Sequence, residues 1–327
     1  MTDIAVLDDY QGVSQQLADW TVLPDHCHLQ VFRDHLSELD PVAERLHGFE
    51  VVCAMRERTP FPRELLQRLP NLRLLVTTGM RNASIDLKAA TDCGVLVCGT
   101  DGGPTNPPAE LTWGLILALA RHIHQEDAAT RRGHWGTTLG PSLEGKVLGV
   151  LGLGRLGGAV ARVGVAFEMS VIAWSQNLTQ ERAAQHGATL VTREELFRQS
   201  DILSVHVQLS ERTTGLVGSH ELGLMKPTAL LINTARGPIV DEKALIDALR
   251  NGTIAGAGLD VFDEEPLPPD HPFLAMENTL LTPHLGYATP EQLSVRYQGT
   301  IEDIVAFLEG SPIRALNPEA LETAPNR

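Results

Sequence analysis

The sequence predicts an α/β protein with two Rossmann or flavodoxin-like domains, each built on a parallel sheet. Short β-rich runs alternate with helical patterns through the first hundred residues, and this alternation resumes after Lys146, which is typical of βαβ units. A Gly/Pro-rich stretch at 99–108, GTDGGPTNPP, separates the two series. The length of 327 residues suits two domains of roughly 150 residues each.

Each series supplies candidate strands separated by helical segments. In the first series the predicted strands are residues 4–7, 29–32, 51–54, 72–77 and 95–98, and the helical patterns include 41–47, 62–69 and 85–92. In the second series the predicted strands are residues 147–151, 170–174, 202–205, 229–232, 254–259 and 279–281. Parallel pairing is expected because helix-length crossovers join successive strands.

Two long helices frame the second series. Pro107 and Pro108 suit the first turn of a helix that we expect to run to about Arg132. A final helix, about 290–309, follows the last strand and could pack back on the N-terminal domain. This organisation predicts an active site in the cleft between two domains. The predicted domains are 1–102 with 290–327, and 103–289.

Composition narrows the classes of partner. The chain is 43% hydrophobic and 20% charged, which suits a soluble globular protein. Its net charge of −15 argues against a broad basic face, so we expect neither nucleic acid nor an anionic membrane as a partner. An anionic substrate would then need a local cluster of cations, because the overall field repels it.

The cysteines and the N-terminus favour a cytoplasmic protein. Cys27, Cys53, Cys93 and Cys98 form no CxxC motif and have no metal-ligand spacing, so we expect buried reduced thiols and no metal site. The N-terminal MTDIAVLDDY is acidic where a signal peptide is basic. The longest apolar stretch, 111–120, is ten residues long and far below the ~20 that span a bilayer.

The hexapeptide GLGRLG at 152–157 predicts a site for a dinucleotide pyrophosphate. It follows an apolar strand and opens a helical stretch, with Arg155 and Leu156 at the start of the helix. Gly152 permits a tight turn, Gly154 allows the backbone to approach the pyrophosphate, and Gly157 lets helix and strand pack closely. The helix N-terminus adds free N–H groups. We therefore expect domain 103–289 to bind the dinucleotide.

The residues that follow the second strand of this domain bear on the choice of cofactor. An NAD site of this type carries Asp or Glu about 20 residues after the first glycine, where the acid binds the ribose hydroxyls. Here that position is Ser175, followed by Gln176 and Asn177. No acid repels a 2′-phosphate, yet the nearest arginine is Arg182. These residues favour NADP(H) weakly, and NAD(H) stays open.

Three later motifs each place one charged or titratable side chain beside turn-forming residues. They are NTARGPIVD around Arg236, LDVFDEEPLP around Glu265 and LTPHLGYAT around His284. An arginine can bind a planar carboxylate through two parallel hydrogen bonds, and a histidine titrates in the range needed for reversible proton transfer. Each residue alone also suits an ordinary loop position. Together they indicate a site that holds a carboxylate and moves a proton.

The chain resembles the D-isomer-specific 2-hydroxyacid dehydrogenase family over nearly its whole length. The resemblance is carried by motifs in the family's order, among them AELTWGLILALAR, LEGKVLGVLGLGRLG, MKPTALLINTARGPIVDEKAL, GAGLDVFDEEPLP and TPHLGYAT. It implies that Arg236 binds the carboxylate and carbonyl oxygen of a 2-keto acid. It also implies that His284 is the general acid/base, and that Glu265 orients His284 and favours its protonated form.

The same resemblance implies further binding residues. Asp260 would lie near the nicotinamide carboxamide, Thr234 and Ala235 would line the cofactor, and Val207 would lie on its adenine side. In the first domain, the backbone amides of the loop made of Thr78, Gly79 and Met80 would face the substrate carboxylate. Arg56 and Arg81, near this loop, are read either as ligands of a second anionic group or as ordinary surface arginines.

The predicted function is reversible reduction of a small 2-keto acid to the D-2-hydroxy acid by hydride transfer from NAD(P)H. Glyoxylate or hydroxypyruvate, phosphohydroxypyruvate and larger 2-keto acids all remain open as substrates. The alternative is an NAD(H)-sensing binding protein of the corepressor type, which shares the fold and retains the three residues. The resemblance also implies a homodimer, with the helix that begins near Ala109 and the arm through Trp135 at the contact.

Overall fold

The chain forms two compact units, and the computed structural model describes residues 1–103 and 106–323. The first unit comprises Met1–Pro104 and Thr289–Arg327, and the second comprises Thr105–Ala288. Pro104 and Thr105 of the predicted Gly/Pro-rich linker, like residues 324–327 of the predicted first domain, lie outside the described residues. The division of substrate and cofactor binding between the two predicted domains stays a prediction.

The first unit contains a five-stranded sheet in which every pairing is parallel. Its strands are β1 Thr2–Val6, β2 Cys27–Val31, β3 Val51–Ala54, β4 Leu74–Thr77 and β5 Leu96–Gly99. The strand order is β2-β1-β3-β4-β5, which is the flavodoxin-like order of a doubly wound sheet. The helices of this unit are α1 Ser14–Leu17, α2 Leu39–Leu46, α3 Arg63–Leu66, α4 Leu87–Asp92, α12 Pro290–Leu308 and α13 Ala320–Thr323.

The second unit contains a seven-stranded sheet that is also parallel throughout. Its strands are β6 Val147–Leu151, β7 Ser170–Trp174, β8 Thr189–Leu190, β9 Ile202–Val205, β10 Leu230–Asn233, β11 Gly256–Leu259 and β12 Thr279–Leu281. The order β12-β11-β10-β9-β6-β7-β8 is that of a Rossmann sheet extended by one strand. Its helices are α5 Pro107–Ala120, α6 Ile123–Arg131, α7 Arg155–Ala166, α8 Gln180–Ala184, α9 Arg193–Gln199, α10 Ser219–Leu224 and α11 Glu242–Arg250.

Both faces of the seven-stranded sheet are buried, which explains why its strands read as continuous apolar runs. Neighbouring residues of one strand point to opposite faces. Leu203 therefore lies in the core on one face and Ile202 in the core on the other, and Leu231 and Ile232 divide in the same way. The fold class predicted from the sequence, two parallel-sheet domains of the Rossmann and flavodoxin kinds, is confirmed.

The prediction of one continuous helix from Pro107 to about Arg132 is wrong. It divides into α5 and α6, because His122 adopts a left-handed conformation with φ of +52° that no α-helix continues through. The chain after α6 returns to this point, since a Cβ on Gly140 would lie 2.0 Å from the carbonyl oxygen of Ala120. The arm therefore packs against the end of α5. No local sequence pattern predicts this contact.

Other boundaries differ from the prediction by a few residues. The predicted strand 254–259 begins at Gly256, and the predicted strand 72–77 begins at Leu74. The two-residue strand β8 was not predicted, since it is too short to show a periodic pattern. Cys53 and Cys98 are buried as expected, whereas Cys27 is half-buried and Cys93 is exposed.

Candidate active site

Arg236 lies in a turn that Asn233, the last residue of β10, holds in shape. The Asn233 side chain accepts a hydrogen bond from the N–H of Ala235 at 3.0 Å and donates one to the carbonyl of Arg236 at 2.9 Å. Gly237 follows, where a Cβ would lie 2.1 Å from the carbonyl oxygen of Phe262. Arg236 itself is extended and half-buried, and its Nη1 donates to the Ala235 carbonyl at 2.7 Å. Contacts on both sides of Arg236 thus fix the backbone conformation of the turn.

Glu265 and His284 form a direct pair. The distance from His284 Nδ1 to Glu265 Oε2 is 2.6 Å, with side-chain exposures of 19% and 26%. The other carboxylate oxygen of Glu265 accepts the N–H of Phe262 at 3.0 Å. Because the ionised carboxylate can only accept, His284 carries a proton on Nδ1, and Nε2 is the ring nitrogen that remains to exchange protons.

The loop that carries His284 is held by Asp260, which directly follows β11 and is fully buried. Its carboxylate accepts the hydroxyl of Thr282 at 2.6 Å and the N–H groups of Leu285 and Gly286 at 2.7 and 2.9 Å. His284 has φ of +53°, a left-handed conformation that costs energy for a residue with a side chain. The three bonds to Asp260 flank His284 on both sides and so stabilise this conformation.

The protonation of the two carboxyl groups follows from their surroundings. Burial by itself raises the pKa of Glu265, but the hydrogen bond and charge of His284, the N–H of Phe262 and the charge of Arg236 outweigh it. The pKa of Glu265 is therefore below its ordinary value, and the group stays ionised near neutral pH. Burial raises the pKa of Asp260 above its ordinary value, against the opposing effect of its three donors and His284.

The sheet order explains why Arg236, Glu265 and His284 belong to one region of the second unit. They follow β10, β11 and β12, which are neighbours in the sheet. Parallel strands end at the same edge, so the three following loops share that edge. Arg236 lies near enough to Glu265 to lower the pKa of this carboxyl. The structure thus brings all three predicted residues to the carboxyl edge of one sheet.

The glycine-rich turn joins β6 to α7 at the same edge. Gly152 has φ of +100°, and a Cβ there would lie 2.7 Å from the backbone of His206 and of Val207. A Cβ on Gly157 would lie 2.1 Å from the Gly152 carbonyl oxygen. These two glycines are therefore required by the fold itself. Arg155 is exposed and Leu156 half-buried at the first turn of the helix.

Ser175 follows β7 and faces the glycine-rich turn. Its hydroxyl oxygen accepts the N–H of Leu153 at 2.9 Å, while Gln176 and Asn177 are exposed. Arg182, the cation nearest in sequence, lies exposed in α8. Val207, Thr234 and Ala235 are half-buried, and the Thr234 hydroxyl lies 2.8 Å from that of Thr112.

The predicted substrate residues of the first unit lie at the carboxyl end of β4. The backbone N–H of Thr78 donates to the Ala54 carbonyl at 3.2 Å, and that of Gly79 donates to the Thr100 hydroxyl at 2.9 Å. The N–H groups of Thr78 and Gly79 are thus hydrogen-bonded within the first unit, and the expectation that this loop binds the substrate stays a prediction. Met80, which is 44% exposed, retains an N–H with no such bond among the residues that the structure describes.

Comparisons with known proteins agree with this geometry. The sequence model of the family described as "D-isomer specific 2-hydroxyacid dehydrogenase, NAD binding domain" matches residues 113–286. A glyoxylate reductase of Aeropyrum pernix is 43% identical over 269 residues, which cover 79% of this chain and 80% of that protein. The chain belongs to the D-isomer-specific 2-hydroxyacid dehydrogenase family.

Two further relatives of this dehydrogenase carry a different name. A D-3-phosphoglycerate dehydrogenase of Archaeoglobus fulgidus is 40% identical over 82% of this chain and 51% of its own length. The crystal structure of a phosphoglycerate oxidoreductase from Vibrio cholerae O395 superposes with a TM-score of 0.89 at 35% identity, covering 95% of this chain and all of that one. The protein is a D-2-hydroxyacid dehydrogenase with a nicotinamide cofactor.

The surroundings of Gly154 in this dehydrogenase are compatible with binding of that cofactor. This residue is exposed, has φ of −88°, and a Cβ there would meet no heavy atom within 4 Å among the described residues beyond its own neighbours. The fold therefore tolerates a side chain at Gly154, unlike at Gly152 and Gly157. A glycine that packing does not require, at the N-terminus of a helix, leaves room for a phosphate to approach the backbone.

Sequence reasoning missed several residues of this dehydrogenase that shape the site. Asn233 and Thr282 are polar residues within the motifs around Arg236 and His284, and only their tertiary contacts show that they hold the backbone there. Tyr287 packs edge-on against the His284 ring, with centroids 5.7 Å apart and an interplanar angle of 76°. The buried Thr112 reaches Thr234 from a helix 122 residues away in sequence. The signal that could have found Asn233 is its place at the end of an apolar strand, directly before the turn.

No helix among the described residues is long and apolar enough to cross a membrane.

Proposed function

We propose that this dehydrogenase reversibly reduces a small 2-keto acid to its D-2-hydroxy acid, with the acid–base work done by His284. The observation that carries the proposal is the 2.6 Å bond between His284 Nδ1 and Glu265, because it leaves Nε2 of a histidine to exchange a proton with the substrate oxygen. The bound nicotinamide supplies or accepts the hydride at C2 of the substrate.

Arg236 is proposed to bind the substrate carboxylate. A guanidinium presents parallel N–H groups that match the two oxygens of a carboxylate, and so it orients the substrate as well as holding it. The turn around Arg236 is braced by Asn233 and closed by Gly237, which supports a fixed direction for the side chain. A fixed donor is worth more to catalysis than a mobile one, since it needs no reorganisation during the reaction.

Glu265 is proposed to orient His284 and to favour its protonated form. In the reductive direction the imidazolium donates a proton to the substrate carbonyl oxygen, and in the oxidative direction the neutral ring removes a proton from the hydroxyl. The low pKa of Glu265 supports this assignment, because an ionised carboxylate beside the ring stabilises the charge that His284 gains.

The proposed cofactor site uses the glycine-rich turn, with the N-terminus of α7 at the pyrophosphate. Ser175, Gln176 and Asn177 are proposed to lie at the adenine ribose, with Val207 on the adenine side, and Thr234, Ala235 and Asp260 near the nicotinamide. The neutral side chain of Ser175 favours NADP(H) over NAD(H) weakly, because no carboxylate there repels a 2′-phosphate.

The central experiment is a panel of 2-keto acids assayed with NADH and with NADPH. We expect turnover of at least one acid, and we expect His284→Ala to lower kcat by about 10²- to 10⁴-fold while the cofactor still binds. Arg236→Gln should raise KM as well as lower kcat. Cofactor binding without turnover of any acid would contradict the proposal and favour a nicotinamide-sensing binding protein instead.

The cofactor preference has its own test. We expect kcat/KM to be higher with NADPH than with NADH, and Ser175→Asp to reverse this order by charge repulsion of the 2′-phosphate. Ser175→Asn is the matched control, since it keeps a hydrogen-bond acceptor for the Leu153 N–H without adding a charge. A tenfold or greater preference of the unmodified enzyme for NADH would contradict the assignment.

A further inference from the structure

The loop that carries Glu265 depends on side chains for its position. Residues 263–271, which the structure describes throughout, belong to neither a helix nor a strand. Prolines, which have no N–H group to donate, recur in and directly after this loop at Pro266, Pro268, Pro269 and Pro272. The loop leaves and re-enters the core at nearby points, because the rings of the buried Phe262 and Phe273 are centred 6.4 Å apart.

Glu242, the first residue of α11, contacts both ends of this loop. Its Oε1 atom lies 3.0 Å from Nε2 of His271, and its Oε2 atom accepts the N–H of Asp263 in a longer bond of 3.4 Å. The side chains of His271 and Glu242 are 12% and 23% exposed. One carboxylate on a helix therefore links the beginning of the loop to its end.

Both ring nitrogens of His271 are hydrogen-bonded. Nδ1 accepts the N–H of Phe273 at 3.3 Å, so it carries no proton in this bond. Nε2 then carries the proton and donates it to Glu242. The ring also lies against that of Phe273, with centroids 4.9 Å apart. These three contacts fix the orientation of the imidazole.

The peptide that joins Phe262 to Asp263 connects these contacts to the candidate active site. The N–H of Phe262 donates to Glu265 at 3.0 Å, and the N–H of Asp263 donates to Glu242. On another side, a Cβ on Gly237 would lie 2.1 Å from the carbonyl oxygen of Phe262. A displacement of this peptide would therefore move the donor that holds one oxygen of Glu265.

We propose that Glu242 and His271 are positioning residues for the acid–base reaction. Together they form a clasp that holds the loop so that Glu265 stays within hydrogen-bonding distance of His284. A bond as short as 2.6 Å between Glu265 and His284 needs both groups placed to within about 0.5 Å, which surrounding contacts must supply. The inference rests on the proposed reaction of His284, because the clasp acts through Glu265.

Two substitutions of His271 each keep one of its two hydrogen bonds. His271→Asn offers an amide oxygen near the position of Nδ1, so it keeps the bond from Phe273 but loses the donor to Glu242. His271→Gln offers an amide nitrogen near the position of Nε2, so it keeps that donor. We expect kcat to fall about 10- to 100-fold in His271→Asn and about threefold or less in His271→Gln.

The pH profile separates a positioning role from a merely structural one. His271→Asn should move the pH above which reductive activity declines to a lower value, because a displaced carboxylate stabilises the protonated His284 ring less. In a Glu265→Gln background the same substitution should cause no further shift, because the route through Glu265 is already broken. An unchanged profile in His271→Asn, or a further shift in the Glu265→Gln background, would overturn the proposal.

Two variants of α11 test the other half of the clasp. Glu242→Ala should lower kcat at least as much as His271→Asn, and the double variant should lose no more than Glu242→Ala alone, because both break one link. Asp247→Asn is the matched control, since it removes a carboxylate from the same helix, where Asp247 pairs with Lys243 at 2.9 Å. A shift of the pH profile in Asp247→Asn equal to that in Glu242→Ala would assign the effect to general electrostatics and overturn the clasp.

A spectroscopic titration tests the clasp apart from turnover. The His284 ring, followed by NMR in the full chain, should titrate with its midpoint at a lower pH in His271→Asn than in the unmodified protein or in His271→Gln. If no 2-keto acid is turned over but the midpoint moves in this way, the proposed reaction fails and the clasp stands. If turnover is seen while neither kcat nor the midpoint changes in His271→Asn, the clasp alone fails.

Discussion

At the scale of single residues, the proposed acid–base chemistry depends on the hydrogen bond between His284 and Glu265. At 2.6 Å the carboxylate determines which ring nitrogen carries the fixed proton, and the low pKa of Glu265 keeps that carboxylate charged across the neutral range. The charge of Arg236 contributes in the same direction. The ionised state of Glu265 is therefore favoured by both His284 and Arg236.

Replacing Glu265 with Gln tests this dependence. The amide keeps a hydrogen-bond acceptor but removes the charge, so we expect kcat to fall about 10²-fold. The pH above which reductive activity declines should move to a lower value, because the protonated ring has lost its stabilising charge. The measurement is the pH profile of kcat/KM for both proteins. An unchanged profile with a lower kcat would assign Glu265 a purely geometric role.

His206 gives a second prediction, on stability. Its ring lies 2.7 Å from the Ser204 hydroxyl, and desolvation lowers the pKa of His206 to about 4 although the residue is only half-buried. The unfolded chain takes up a proton near pH 6.5, before the folded chain does. Stability is therefore lost as the pH falls from about 6.5 toward 4, by about 1 to 3 kcal/mol.

Urea unfolding of the wild type and of His206→Gln, at pH 7 and at pH 4.5, measures this effect. Glutamine can bond to Ser204 but does not titrate, so its loss of stability between the two pH values should be smaller by that amount. Equal losses in the two proteins would show that other groups account for the acid sensitivity.

At the scale of elements, the glycines of the glycine-rich turn meet two separate requirements, close packing within the protein and open space for the proposed cofactor. Gly152 and Gly157 are required by contacts inside the protein, whereas Gly154 borders open space. The loops after β10, β11 and β12 show a similar division, since Asn233 and Asp260 hold the backbone while Arg236 and His284 are the residues proposed to act on the substrate. Rigid strand ends position residues more reproducibly than free loops.

Alanine at each of two glycines separates these requirements. Gly157→Ala should lower the free energy of unfolding by about 1 to 3 kcal/mol, because its Cβ would meet the Gly152 carbonyl. Gly154→Ala should leave thermal stability nearly unchanged but weaken cofactor binding by about tenfold or more. Differential scanning calorimetry and fluorescence titration with NADPH supply the two readouts. Loss of stability in Gly154→Ala would mean that the glycine serves the fold.

At the scale of the whole molecule, the two units differ in continuity. The second is one uninterrupted stretch with its own seven-stranded sheet and a core on each face. The first needs both ends of the chain. Asn317 illustrates this, because its side chain accepts the N–H of Val97 at 2.7 Å and donates to the Val95 carbonyl at 3.0 Å.

A fragment of residues 106–288 should therefore fold by itself. We expect one cooperative thermal transition, because a continuous segment with a buried sheet meets the requirements of an independent domain. It should bind NADPH as the full chain does, because the glycine-rich turn and the other residues proposed to bind the cofactor all lie within it. A fragment without a cooperative transition would show that the second unit depends on the first for its stability.

The sequence by itself determined the alternation of strands and helices, the two parallel sheets and the candidate triad. These follow from local signals: an apolar run, a turn residue at its end, and one functional side chain in that turn. The strands at 147–151, 170–174, 202–205 and 279–281 were predicted with the bounds that the structure has, because their apolar runs are flanked by clear breaks. The functional roles of the site residues stay predictions.

Only the tertiary structure decided which polar groups are available. It divided the helix at His122, placed the amides of Thr78 and Gly79 in hydrogen bonds within the fold, and brought Arg56 and the buried Arg296 to the carbonyl of Thr78. None of these has a local signal, since each depends on a partner distant in the chain. For Arg236, Glu265 and His284, the sequence by itself identified the candidate residues. The neighbouring order of β10, β11 and β12 decided that they share one edge, because parallel strands end together.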